Sequence, residues 1–131
     1  MQAVNWYATL IKPFWAPPAW LFGPVWTLLY ILIAISFGYV IYKYFKGEIS
    51  FIILLPFILN IIFNLIFSPI QFGLQNMWLA SIDILLVLGT LVWAFIAIFP
   101  ITSWVVYLNI PYLLWGAFAT ILQFTILYLN R

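Results

Sequence analysis

WYATLIKPFWAPPAWLFGPVWTLLY, residues 6–30, decides the fold, because four Trp and four Pro crowd into it immediately before a long apolar run. Proline lacks a backbone donor and fixes φ, so the Lys12-Pro13 and Pro17-Pro18 steps keep the chain out of helix until about residue 18. Pro24 is tolerable in the first turns of the helix that follows. Indole and phenol rings favour places where one end is apolar and the other wet. The residues from Trp6 to Trp20 therefore read as a stiff aromatic lid at a membrane surface.

The rest of the chain agrees with a membrane. It is 69% apolar and 22% aromatic, with six charged residues in 131, far outside the soluble range. Lys43, Lys46 and Glu48 form one short loop, Lys12 sits in the lid and Arg131 is terminal, while Asp83 alone falls inside an apolar run. This punctuation predicts spans at about 18–45, 49–68, 75–99 and 102–129, each near or above the roughly 20 residues that cross a bilayer. Lipid leaves the backbone no solution but helix for so few segments. The expected product is an all-α, multi-pass integral membrane bundle, one domain over 1–131, in a prokaryotic cell membrane. With an even number of spans, Lys12 and Arg131 lie on one side and Lys43 and Lys46 on the other, so the positive-inside count is tied and orientation stays open.

There is no Cys and no His, which removes thiolate chemistry, the commonest metal ligand and the commonest general base. No metal site, required cofactor or nucleic-acid partner is expected. Without paired carboxylates conventional enzymology is not expected either. An h-region is missing near the start, so no cleavable signal peptide is expected.

Polar and aromatic residues recur at helical spacing within the spans, as the lining of a cavity between helices requires. Trp26, Tyr30, Ala34 and Phe37 share one face of the first span. Asn60 and Asn64 are one turn apart on the second, continuing to Phe67 and, just past the helix, Gln71. On the last, Pro111, Trp115, Ala119 and Leu122 align, beside a small-residue strip of Gly116 and Thr120. These faces could enclose an apolar pocket with two amides to fix orientation, a recipe for a flat hydrophobic ligand. Packing explains the aromatics as well, since 29 Phe, Trp and Tyr produce stripes by chance. Interhelical hydrogen bonding explains the amides as well.

Four ordered patches carry a resemblance: WY, KP, W, PP, W and PVWTLLY in the lid; Asn64, Pro69 and Phe72; Asp83 in DILLV; and Pro111, Tyr112, Trp115 and AFAT from Ala117 to Thr120. Over nearly the whole chain this resembles the tryptophan-rich TspO/MBR family. The resemblance implies five helices with one before the WY motif, whereas only Met1 to Asn5 precede Trp6 here; an internal start and a short form are both open. It implies a receptor or sensor that binds porphyrin-like tetrapyrroles beneath the lid. Trp26 and Trp115 would flank the ring and Tyr30 and Asn64 give polar contacts, with Ala119 leaving room for it. Asn60, Phe67, Leu122 and Trp20 would complete the lining. Light-dependent porphyrin breakdown, with Trp26 and Trp115 as the oxidisable catalytic groups, is an alternative. Transport or scaffolding of tetrapyrroles or lipids is another. Relatives often carry Gln where Asn60 stands and Trp where Leu65 and Phe67 stand, so ligand preference would differ.

An ionised Asp83 would lie about 12 Å along the helix from Gln75. At mid-bilayer it would cost about 2.5 to 3.5 kcal/mol, so it needs a structural or functional reason. Leu122, Tyr128 and Arg131 satisfy a loose cholesterol-contact pattern, but so do Val40, Tyr42 and Lys46, and sterol binding is not expected. The Gly116–Thr120 and Ala34–Gly38 small-residue steps would admit a homodimer, or ordinary packing within the chain.

Overall fold

The computed structural model describes residues 9–130. Trp6, Tyr7 and Arg131 lie outside the described residues, so the lid is seen from Thr9 onward. Five α-helices follow: α1 (Ala19–Phe45), α2 (Phe51–Ser68), α3 (Met77–Ile98), α4 (Ser103–Leu108) and α5 (Ile110–Asn130), with a π-helical turn, Pro69–Gly73, continuing α2. There is no strand among the described residues.

Local chemistry explains the boundaries. Pro18, extended at φ −63° and ψ 146°, precedes α1, and Pro24 is carried inside its second turn. At the other end Gly47 adopts φ +77°, and the Gly47 and Glu48 amides return to Tyr44 O and Lys43 O, a glycine-dependent helix stop. Lys43 Nζ closes the same loop on Glu48 Oε2 at 2.7 Å. Asn76 caps α3, its Oδ1 accepting from Leu79 N at 3.0 Å. The apolar run expected as one span over 102–129 is divided at Asn109. Pro111 lacks the N–H that would bond one turn back, and the buried Asn109 side chain holds the break, its Nδ2 donating to Val105 O and to Ser36 Oγ, both at 2.7 Å. Gln71, expected just past the second helix, lies within the π turn and is buried.

Among the described residues, four segments are long and apolar enough to cross a membrane: Trp20–Phe45, Phe51–Gly73, Met77–Ile98 and Ile110–Asn130. The molecule is organised about α3, which packs most extensively against α2 and then α5; α1 rests on α2 and α4. On α3 the stripe Ala80, Ser81, Asp83, Ile84, Val87, Thr90, Leu91, Ala94, Phe95 and Ile98 is buried, following the 3.6-residue period. Its outward face, Ile82, Leu85, Leu86, Val92, Trp93 and Ile96, is exposed and entirely apolar. A helix with its polar side chains inside and its apolar ones outside is stable only where lipid is the solvent.

Candidate functional site

One hydrogen-bonded chain crosses the bundle from α1 to α3. Tyr30 donates its hydroxyl to Asn64 Oδ1 at 2.9 Å, and Asn64 Nδ2 donates to the Tyr112 hydroxyl at 2.7 Å. Tyr112 then donates to Asn60 Oδ1 at 2.9 Å. Asn60 Nδ2 completes the path to Val87 O at 2.8 Å and Thr90 Oγ1 at 3.2 Å. Asn60 and Tyr112 are both fully buried. Four helices thus share one polar thread, and every polar atom of Asn60 is spent within the protein. Such bonds average about 0.6 kcal/mol each in membrane proteins, so the thread fixes helix register more than it adds stability.

Beside it lies an aromatic seam between α1 and α5. The Trp26 ring is 5.7 Å from Tyr30 and 6.4 Å from Tyr112. One turn nearer the lid, Trp115 lies 5.8 Å from Phe22 and 5.4 Å from Phe118, and Phe118 in turn lies 5.8 Å from Trp15 of the lid. These are edge-on or tilted contacts, the geometry that aromatic quadrupoles prefer. The Trp115 Nε1 atom is buried without a hydrogen-bond partner, an indole donor left unspent.

The expected site residues fall into three groups. Trp26, Tyr30, Asn64 and Trp115 come together at the seam, with Tyr30 43% exposed. Asn60 belongs to the thread behind it. Ala119 and Phe67 are half-buried, Leu122 is buried in a smaller cluster with Phe22, Phe72, Met77 and Phe118 under Leu10 and Ala16 of the lid, and Trp20 is 70% exposed at the start of α1. On α1 the buried stripe is Leu29, Ile33, Phe37 and Val40, so Trp26 and Tyr30 stand at its edge and Ala34 faces outward. On α5 it is the small-residue strip that turns inward, Tyr112, Gly116, Thr120, Gln123 and Leu127, while Pro111 is exposed. Of the two residues of the sterol-contact pattern on α5, Leu122 is buried and Tyr128 is 64% exposed. Tyr128 lines an open apolar groove of about 520 Å³ with Leu85, Thr120, Ile121, Phe124 and Thr125.

Residues 1–129 match the model of the TspO/MBR family. The chain belongs to that family. It is 40% identical over 127 residues to the tryptophan-rich protein TspO of Bacillus cereus, covering 96% of this chain and 81% of that protein. It is 35% identical over 128 residues to the translocator protein of Homo sapiens, covering 95% and 75%. With the tryptophan-rich sensory protein of Cereibacter sphaeroides the identity is 33% over 129 residues, covering 96% and 77%. Four apolar helices and this membership make it an integral, multi-pass membrane protein.

Within this TspO/MBR bundle two kinds of residue escaped the helical-face reasoning. Tyr112, the hub of the thread, falls one position off the Trp115 face, although its spacing of four from Gly116 marks it as inward. Gln123 Nε2 donates to Gln71 Oε1 at 3.1 Å and to Ser81 Oγ at 3.3 Å, a second buried cluster at the lid end. A glutamine inside an apolar span was the available signal for it.

Proposed function

We propose that the protein is a membrane receptor or sensor that binds porphyrin-like tetrapyrroles, or flat hydrophobic ligands of similar shape, at the α1–α5 seam beneath the lid. The observation that carries this reading is the seam itself: rings from two helices and the lid meet there, and one buried indole N–H is unspent. Trp26 and Trp115 flank the ring and Trp115 Nε1 donates to it, with Tyr30 and Asn64 at its polar edge. Ala119 leaves room on α5, while Phe67, Leu122 and Trp20 extend the apolar lining and Asn60 anchors the thread behind. Affinity comes mainly from burial. At roughly 25 cal/mol per Å², several hundred Å² of ligand surface reaches micromolar affinity after the entropic cost of association.

Light-dependent porphyrin breakdown is the second reading. It is favoured by Trp26, an oxidisable indole with Tyr30 5.7 Å away. The test is a titration of protoporphyrin into detergent-solubilised protein, followed by Trp quenching and porphyrin absorbance in darkness and then in light, with Trp26→Phe and Trp115→Phe alongside. Saturable quenching that weakens in the variants is the expected result, and Trp-dependent bleaching in light would favour the enzyme. Absence of saturable binding would overturn both and leave transport or scaffolding.

A further inference from the structure

The far end of α1 carries a patch of two phenols and two ammoniums. Tyr39 and Lys43 are four residues apart, and so are Tyr42 and Lys46, so the two pairs lie on neighbouring rows of the helix. In each pair the cation covers the ring. Lys43 Nζ is 5.4 Å from the Tyr39 centroid, and Lys46 Nζ is 5.2 Å from that of Tyr42. Trp104 of α4 borders the patch, its ring 4.9 Å from Tyr39. Lys46 is the C-cap of α1 and keeps helical geometry, with Tyr42 56% exposed one turn before it.

The depth of the patch sets its surroundings. The membrane-crossing segment ends at Phe45, so Lys46 is the first residue past it, and Tyr39, Tyr42 and Trp104 stand where aromatic belts meet lipid headgroups. A lysine at this level is free to extend its ammonium into water, whereas Lys43 and Lys46 both fold back over rings one turn, about 5.4 Å, nearer the bilayer. The two charges are unequally spent. Lys43 is half-buried and pairs with Glu48 Oε2 at 2.7 Å, while Lys46 is exposed and has no carboxylate at ion-pair distance among the described residues. Two lysines against one glutamate leave the loop with a net charge of +1.

We propose that this patch is a headgroup site for an anionic phospholipid of the surrounding bilayer. Lys46 contacts the phosphodiester, whose single negative charge answers the net charge of the loop. Tyr42 and Trp104 flank the contact at the level of the glycerol, and Glu48 holds Lys43 back from it. Cations at a helix C-terminus also complement its dipole, but that role is indifferent to which lipid is present. The inference does not depend on what binds at the α1–α5 seam.

Native mass spectrometry tests it, on protein taken from mixed micelles that hold equal amounts of phosphatidylglycerol and phosphatidylcholine with the same acyl chains. Wild type is expected to retain phosphatidylglycerol preferentially. Lys46→Gln should cut that preference about fivefold, the share of one lysine at an anionic surface. Lys12→Gln, in the lid, should leave it intact. Glu48→Gln acts in the opposite direction, because it releases Lys43, and should raise the preference. Equal retention of the two lipids by wild type, a preference unmoved by Lys46→Gln, one lost in Lys12→Gln or one lowered in Glu48→Gln would overturn the proposal. So would displacement of the lipid by inorganic phosphate where chloride of equal ionic strength leaves it bound, which would make the patch a site for free phosphate.

Discussion

Where α2 meets α3, the amides are spent and sealed: Asn60 is fully buried and bonded at both ends, and the helices touch along their length. Where α1 faces α5, the contact is made by rings, Tyr30 is 43% exposed and the Trp115 indole N–H has no partner. The amides of the first boundary are paired within the protein, whereas the second leaves an indole donor unpaired. The contrast separates polar residues that hold a membrane bundle in register from those with something left to offer, a distinction that residue type alone does not make.

The contrast is broken most severely at Asn60. Asn60→Leu removes three hydrogen bonds and strands the Tyr112 hydroxyl, and is expected to cost about 2 kcal/mol at about 0.6 kcal/mol per bond. Unfolding by SDS from mild detergent reads this, and a loss under about 0.5 kcal/mol would mean that the α2–α3 boundary does not rely on its amides. Trp115→Phe probes the other side. It should leave unfolding nearly unchanged yet weaken protoporphyrin binding about fivefold, the equivalent of one hydrogen bond of about 1 kcal/mol. Equal effects on stability and binding would erase the difference between the boundaries. Tyr30→Phe lies between them, since its one bond to Asn64 is expected to be worth about 0.6 kcal/mol in the same SDS assay.

The smallest effect belongs to Glu48→Gln at the exposed loop, where no change in thermal midpoint is expected at neutral pH. The sign with pH is nonetheless defined. Lys43 lowers the Glu48 pKa, so whatever the pair contributes is present above the unfolded pKa and is lost as pH falls through the lower folded value. A midpoint that rose on acidification in wild type but not in Glu48→Gln would contradict that direction.

Much of this was legible in the chain. Spacing of charges and prolines placed four apolar helices, and Asn60 and Asn64 at a four-residue interval announced a shared face. What stayed hidden was which face turned inward. In a water-soluble helix the apolar side marks the core, but on α3 both sides are apolar, and only Ser81, Asp83 and Thr90 distinguish them. On α5 the large residues Trp115 and Leu122 suggested the inner face; Leu122 is indeed buried, but Trp115 is only partly so, and the small Gly116 and Thr120 beside it are buried where the helix meets α3. The π turn was unreadable for a related reason, since Pro69 looks like a helix end and the continuation depends on packing against α3.

The lid meets the end of α5 through Asn130, whose Oδ1 accepts from Ile11 N at 2.9 Å and whose Nδ2 donates to Ile11 O at 2.8 Å. The side-chain amide pairs with this residue as a neighbouring β-strand would, with one peptide-like group answering another. Ile11 itself is 60% exposed, so its amide proton is sheltered by that bond rather than by depth. Hydrogen–deuterium exchange at this single amide is therefore a native clock for how often the lid parts from the end of α5. It needs no label, and it can be read with the protein in a bilayer.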